Sequence, residues 1–481
     1  MTKFQLLGIP TRNWMAVIAA AITAFTTTLD IQVIAFGLGP LADAFEVDTS
    51  LVAWVSLLSL LFTVGFMLTA GSFGDRFGRV QVLVFGLMFT TVALAASAFC
   101  QNFTQLLITR LVHGIGNVFV VAPGVALIVG AVPKSHRGVA LGVQGMAAGV
   151  GYFGGPILAG WALETLDWRA LFYLRIPIHL TSILLVFLFL RAPKGNSNLP
   201  IDFLGSVLSM LAFGSLTLAI NQGGRLGWDH PLPILCAFLT PLFLFGLIIV
   251  ERSTAAPILD LQQLIKVKSY WIGIVTHFST YHIQTGIPIL SALLVTSKMQ
   301  GNLTQAGIVV AVYPLARVIL SPFSGWMSDK LGTHKMIVWG LALLTISTFS
   351  IGIFASSMNL TLVMLLLLLA GMGFVIWEPA NQGAIVASIP NNVGTASSMV
   401  ALSRHLGIVS GVTVATAAFV TAASKASGVE ADLARPSALE QSAILAGVET
   451  GFIVIAIIGL VGLAVSALRF IGGTNSRSET L

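Results

Sequence analysis

The sequence predicts an all-α polytopic membrane protein. Three observations lead there. The 481 residues are 56% hydrophobic and only 9% charged, against about 25% charged in ordinary soluble domains. Fourteen apolar runs approach the ~20 residues needed to cross a bilayer, and their connections are short, the longest at about 421–446. With the N-terminus inside, fifteen of the 24 Lys and Arg fall on the inner side, five on the outer side, and four (Arg110, Arg175, Arg317, Arg404) within the spans. That bias places both termini in the cytoplasm. It also accounts for the net charge of +6 without nucleic acid as a partner. Connections this short leave no room for a soluble catalytic domain, and the first span, too long for a signal-peptide core, reads as retained. Cys100 and Cys236 sit near outer helix ends with no metal-ligand spacing around them.

Span one ends in TTTLDIQVIAFG, which sets Asp30 about seven residues from its outer end, roughly 10 Å into the bilayer at ~1.5 Å per residue. A carboxylate at that depth is costly to keep charged and is functional by default, so Asp30 is the candidate proton carrier; a static ion pair is the competing account. Span four, LLITRLVHGIGN, brings Arg110 to a similar depth on another helix. Close pairing holds a carboxylate ionised and separation lets it take a proton.

Between spans two and three lies Gly71-Ser-Phe-Gly-Asp75-Arg76-Phe-Gly78-Arg79. Its glycines permit a tight turn, Asp75 suits a helix N-terminus, and Arg76 and Arg79 anchor the inner face. A weaker copy, Gly325-Trp-Met-Ser-Asp329-Lys330-Leu-Gly332, follows span ten. The repetition predicts two related halves about an axis normal to the membrane. They are an N-terminal six-helix bundle over 1–195, two inserted helices and a linker over 196–255, and a C-terminal bundle with a short tail over 256–481.

Span five carries GVQGMAAGVGYFGGPILAG from Gly142 to Gly160, with seven glycines and no charge. At ~100° per residue, Gly142, Gly145 and Gly149 fall near one face and Gly151, Gly154 and Gly155 near the opposite one. A helix bare on two sides admits neighbours closely on both, and Pro156 is expected to bend it by removing the bond to the Tyr152 carbonyl. A plain glycine-rich packing helix is the alternative.

The spacing of Gly142, Gly151, Gly155-Pro156 and Gly160 resembles the fifth-helix antiporter motif of the major facilitator superfamily, where it is associated with proton-driven exporters. The Gly71–Arg79 loop resembles that superfamily's cytoplasmic signature GxLaDrxGrr, read as a latch that closes the inner side, and Asp329-Lys330 its weaker second copy. Arg110-x-x-His113-Gly resembles the fourth-helix motif, whose arginine is linked to proton transfer, with His113 in place of the usual Gln. Leu29-Asp30, the segment Trp168-Arg169-x-x-Phe172, and SRHLGIVSG around Arg404 resemble signatures of the fourteen-helix drug:proton antiporter branch. The stretch after Asp30 departs from that branch's TxVNVALP, and Arg175 stands where its Asn is expected. The resemblance implies the major facilitator fold with fourteen spans.

The second half supplies further polar groups. Span nine has His277, Tyr281, His282 and Gln284, spaced as a cavity wall rather than a metal site, with packed core histidines as the plainer account. Arg317 lies near mid-depth of span ten, Glu378 near the inner end of span twelve, and Arg404 in span thirteen. Glu378 reads as a second titrating site, a cation contact or an interfacial acid. With Arg175, which is equally compatible with snorkelling to the headgroups, these residues are the candidate substrate cavity. Leu261, Leu264 and Ile265 with Lys266 and Lys268 predict a short interfacial helix, and TNSRSETL a disordered tail.

These readings together predict a proton-coupled, alternating-access exporter of small amphipathic compounds, not an enzyme. It is expected to work as a monomer in a bacterial inner membrane, with lipid, the proton and a small-molecule substrate as partners and no cofactor besides the proton gradient. A transporter of a specific organic anion or metabolite is the alternative, because four arginines and two acids lie within the spans. A non-transporting sensor with a transporter fold is the remote one.

Overall fold

The structure, a computed structural model, describes residues 5–6, 9–191, 195–196, 201–254, 258, 266–298, 303–429 and 439–471. The expected interfacial helix falls almost wholly outside these residues, and so does the C-terminal tail. A two-residue antiparallel pair, β1 (Gln5–Leu6) with β2 (Ile9–Pro10), precedes α1 (Thr11–Ala44). Then follow α2 (Thr49–Val52), α3 (Trp54–Gly65), α4 (Met67–Phe77), α5 (Arg79–Ala98), α6 (Phe103–Val121), α7 (Gly124–Ala131) and α8 (Arg137–Thr165). The middle of the chain forms α9 (Ala170–Tyr173), α10 (Ile176–Phe189), α11 (Phe203–Leu226) and α12 (Pro231–Ser253). The last six are α13 (Lys268–Lys298), α14 (Leu303–Leu331), α15 (Thr333–Phe354), α16 (Leu360–Ser388), α17 (Val393–Ser427) and α18 (Gln441–Ile471).

Among the described residues, twelve helical segments are long and apolar enough to cross a membrane. The α3–α4 pair, bent by 52° at Phe66, makes a thirteenth if it is one span. The difference from the fourteen runs read from the sequence lies at α13, a 31-residue helix whose THFSTYHIQ stretch dilutes its hydropathy. Large apolar side chains such as Val92, Phe153, Ile157, Phe187, Phe238 and Phe245 remain exposed. In water such a surface would drive aggregation; here it is the lipid-facing surface of an integral membrane protein.

The chain forms two compact units. The first holds Met1–Thr217, Cys236–Gln263 and Ile389–Leu402, and the second Leu218–Leu235, Leu264–Ser388 and Ser403–Leu481. The inserted pair therefore does not stand apart as a third body: α11 and α12 each contribute to both units. In the first unit α11 starts from Asp202, whose Oδ1 accepts from Gly205 N at 2.7 Å, and packs Met210 against Gly65 beside the α3–α4 bend.

Both loop signatures turn on a glycine of positive φ, Gly78 at 99° and Gly332 at 92°, each the residue that opens the next helix. Only glycine takes this conformation without strain, so the copies agree in backbone as well as in letters. Asp75 itself lies near the end of α4. The helix N-terminus it meets is that of α17, where its carboxylate abuts Gly394 in the first turn and the helix dipole favours an anion. The Arg79–Asp75 pair at 2.9 Å is part-exposed and adds little stability by itself.

The glycine-rich α8 runs unbroken through Pro156 and approaches α1 closely. A Cβ on Gly151 would meet Phe25 O at 2.7 Å and Leu29 N at 3.0 Å, and one on Gly155 would strike Gln32. Thr28 Oγ1 donates to Ala148 O at 3.1 Å across the same seam. The seam thus grips the turns of α1 on either side of Asp30. Gly142, Gly145 and Gly149 are also buried, whereas Gly154 and Gly160 face open space, with nothing within 4 Å of an added Cβ. Gly151→Leu should therefore destabilise the protein by about 1–3 kcal/mol through overpacking, read as a lower unfolding midpoint in detergent. Gly160→Leu should leave the midpoint unchanged, and equal midpoints for the two variants would refute this packing.

Candidate functional site: two buried carboxylate clusters

In the first unit, α1, α6 and the α9–α10 junction meet at Asp30. Arg110 Nη2 lies 3.3 Å from Asp30 Oδ2, and Arg175 Nη1 donates to Oδ1. His113, one turn after Arg110 on the same face of α6, brings Nε2 to 3.6 Å from Oδ1. All four side chains are buried. Because α1 continues to Ala44, Asp30 is also deeper within its helix than the end of the apolar run implied.

Each partner is held from behind. Arg110 Nε donates to Val55 O at 3.1 Å, and His113 Nδ1 meets Ser59 Oγ at 3.1 Å, so α3 braces both. Arg175 sits where the short α9 gives way to α10, with Pro177 in the first turn of the new helix. Its Nε folds back to Leu171 O at 2.7 Å, and its guanidinium lies 5.6 Å from the Phe172 ring centre. Arg175, assigned from the sequence to the substrate cavity, is in this conformation fully buried and committed to Asp30. Formally the trio carries one excess positive charge. Arg110 Nη1 and Arg175 Nη2 find no acceptor among the described residues.

The second unit builds its own cluster around Glu378. Glu378 is not close to the inner end of its helix, as its place in the apolar run suggested, since α16 continues to Ser388 and the side chain is buried. Arg317 Nη2 from α14 reaches Oε1 at 2.5 Å, Tyr281 OH from α13 donates to the same oxygen, and Gln382 Nε2 lies 3.4 Å away. Arg317 also rests 5.1 Å from the Phe374 ring centre, and Arg404 from α17 5.3 Å from that of Tyr281. The next residue, Pro379, cannot donate to the carbonyl of Val375. Ser324 Oγ of α14 does so instead at 2.8 Å, which ties the helix carrying Arg317 to the helix carrying Glu378.

Helix α17 is seated on α13 through Gly407 against Phe278 O and Gly411 against His282. Two histidine–serine contacts set the register there: His277 Nδ1 to Ser403 Oγ and His282 Nδ1 to Ser410 Oγ, each 3.0 Å. The histidines are therefore packed interhelical partners, and the His277 ring also stacks near Tyr281 and Trp377. Among the described residues no group of three or more His, Cys, Asp or Glu is placed to hold a metal ion. Sequence reasoning named Asp30, Arg110, Arg317, Glu378 and Arg404 but missed Tyr281 as a carboxylate donor and Ser59 and Ser324 as braces. Serine and tyrosine are common in helices, and nothing in their spacing marks the partner.

On the loop side of the first unit, a cavity of about 500 Å³ is lined by Arg12, Asn13, Asp75, Arg79 and Arg191 among others. Arg76, half-buried, lies in the same loop, and Lys330 is exposed beside the half-buried Asp329 at the end of α14.

The charge balance at Asp30 orders its variants. Removing either arginine leaves one buried ion pair, whereas Asp30→Ala leaves two buried guanidinium groups facing each other. Stability loss on the order of 3–5 kcal/mol is expected for Asp30→Ala, and less for Arg110→Met or Arg175→Met. Thermal unfolding in detergent checks the order; an Asp30→Ala protein more stable than either arginine variant would contradict the pairing.

The profile of the Major Facilitator Superfamily matches residues 20–412, and again 272–480. The riboflavin transporter RibZ of Clostridioides difficile (strain 630) is 25% identical over 403 residues, covering 83% of this chain and 87% of that one. The multidrug resistance protein Stp of Mycobacterium tuberculosis is 24% identical over 402 residues, covering 83% of this chain and 74% of Stp. Among solved structures, the human organic anion transporter MFSD10 superposes with a TM-score of 0.62 at 17% identity, over 95% of this chain and 99% of the other. The proton:xylose symporter XylE gives 0.65 at 14% identity, over 96% of each chain. These two likenesses concern the fold alone; the sequence matches point to a transporter rather than an enzyme. With a profile spanning most of its length and the same helical architecture, this chain belongs to the Major Facilitator Superfamily.

Proposed function

We propose that this protein is a proton-coupled exporter of small amphipathic compounds, with Asp30 as the coupling carboxylate and Arg110 and Arg175 as the groups that hold or release it. The observation that carries the reading is the position of Asp30. It is buried, engaged by guanidinium groups from two other elements, and flanked by the turns of α1 on which Gly151 and Gly155 sit. A shift of α1 with α8 against α6 or the α9–α10 junction lengthens those ion pairs and lets Asp30 take a proton. Each bound species then favours one conformation, so proton and substrate are linked through it. The named activities of the multidrug resistance protein Stp and of the lincomycin resistance protein LmrB, 24% identical over 438 residues, support export of drug-like compounds.

We read α13 as a further crossing beside the twelve segments and the bent pair, and the protein as a member of the fourteen-helix drug:proton antiporter branch. The protein works as a monomer in a bacterial inner membrane, both termini cytoplasmic, using the proton gradient and no cofactor. The Gly71–Arg79 and Asp329-Lys330 loops serve as inner latches. His277, Tyr281, His282, Arg317 and Arg404 belong to the substrate-binding half of the machinery.

A second reading, transport of a specific organic anion or metabolite, draws on the four arginines against two acids within the spans and on the riboflavin transporter among the relatives. Charge movement separates the readings. One proton exchanged for a monovalent cation moves no net charge, whereas a neutral solute leaves one inward charge, worth ~2.3 kcal/mol per 100 mV. In proteoliposomes with an imposed pH gradient, ethidium, riboflavin and an anionic amphiphile should be compared. Gradient-driven flux of at least one is expected, falling at least ~10-fold in Asp30→Asn, since this carboxylate carries the coupled proton. Undiminished proton-coupled flux in that variant would rule Asp30 out.

A further inference from the structure

We propose that the Asp30 cluster binds a monovalent anion, held by Arg110 Nη1 and Arg175 Nη2, at a site that does not depend on proton coupling. The donors of the two guanidinium groups can be followed one by one. Arg110 directs Nε to Val55 O and Nη2 to Asp30 Oδ2. Arg175 directs Nε to Leu171 O and Nη1 to Asp30 Oδ1. One terminal nitrogen remains on each, Arg110 Nη1 and Arg175 Nη2, buried and without an acceptor among the described residues. The two side chains are 2% and 0% exposed, so bulk water does not take the place of an acceptor. Buried donors left in this way are costly.

The charge balance requires an anion as well. Asp30 is the only acid that pairs with either arginine among the described residues, and each of its oxygens already meets a guanidinium. Two positive groups against one negative leave one charge in excess. A guanidinium cannot shed that charge by losing its proton, and an uncompensated buried charge is strongly unfavourable. The neighbours supply no second negative group. His113 reaches Asp30 with one ring nitrogen and Ser59 with the other, and His179 turns Nδ1 to Arg175 O. Leu29, Val55, Leu171 and Phe172, which adjoin these groups, belong to an apolar core. Because one carboxyl joins both guanidinium groups, the two spare nitrogens belong to one cluster. A halide or an organic carboxylate accepts from such charged N–H groups, and a single negative charge cancels the excess.

Neither a gradient nor a transport substrate is needed to test this. Sodium bromide or sodium benzoate is titrated into the full-length protein in detergent at constant pH, with sodium sulfate keeping the ionic strength constant, and the thermal midpoint is followed. Withdrawing sulfate by itself weakens apolar burial, so a rise reports binding to the folded state. A saturable rise of a few degrees is expected in the wild type. It should be lost in Arg110→Met and Arg175→Met, where the remaining arginine already balances Asp30. Asp30→Asn removes the competing negative charge and should lower the half-saturating concentration at least ~10-fold. Arg110→Lys keeps the charge without the forked donors; its response should need a higher concentration, and it covers a Met variant that fails to fold. A response to bromide alone identifies an inorganic ion, and a response to benzoate a carboxylate-bearing solute; either upholds the site. No saturable rise with either anion, or an equal rise in both Met variants, overturns it and leaves water as the partner of the spare N–H groups.

Discussion

Everything in this molecule is arranged around the cost of an isolated charge in a medium without water. A carboxylate or guanidinium buried alone is so unfavourable that it must find a counter-charge or lose its own. Here each unit builds one cluster on a buried acid that is met by arginine from a different helix: Asp30 by Arg110 and Arg175, Glu378 by Arg317. These contacts connect helices that sequence separation alone would leave unrelated. They bear on which helices are neighbours more than they bear on net stability, because the desolvation of the ions opposes their attraction.

The glycine seams make such pairing possible. Lipid offers no hydrophobic drive for helix association, so close backbone approach and interhelical hydrogen bonds replace it. Gly151 and Gly155 bring α8 onto the segment of α1 that holds Asp30, and Gly407 and Gly411 bring α17 onto the segment of α13 that holds Tyr281. In both units a small-residue seam lies beside a charged cluster, and the seam sets the depth and rotation of the side chain that its partner helix brings to that cluster. Prolines are accommodated in the same economy of partners, as when Ser324 takes up the Val375 carbonyl that Pro379 leaves without a donor.

The clusters differ in how completely they are satisfied. Asp30 is surrounded on both oxygens and braced through Ser59, Val55 and Leu171. Glu378 is held on one oxygen only. The contrast stands beside a repeated loop geometry at Gly78 and Gly332.

Much was determined by the sequence alone. Hydropathy and the run of ~20 apolar residues are local properties, so the all-helical membrane architecture and most span positions could be read directly. The rarity of charge within those spans singled out Asp30, Glu378 and the four arginines, since an intramembrane charge is almost never neutral to function. The glycines of both loop signatures announced their turns because positive φ is a residue-level constraint. Pairing was another matter. Depth along a helix follows from counting residues, but rotation about its axis and the identity of its neighbour depend on packing against helices far away in the chain. Only the tertiary structure could therefore move Arg175 from a cavity wall to Asp30 and show that the helix start Asp75 meets is that of α17. It likewise carried Glu378 from a helix end into a buried cluster with Tyr281. Linear order carries no record of which side chains share a low-dielectric interior, and that sharing is what gives each buried charge its chemistry.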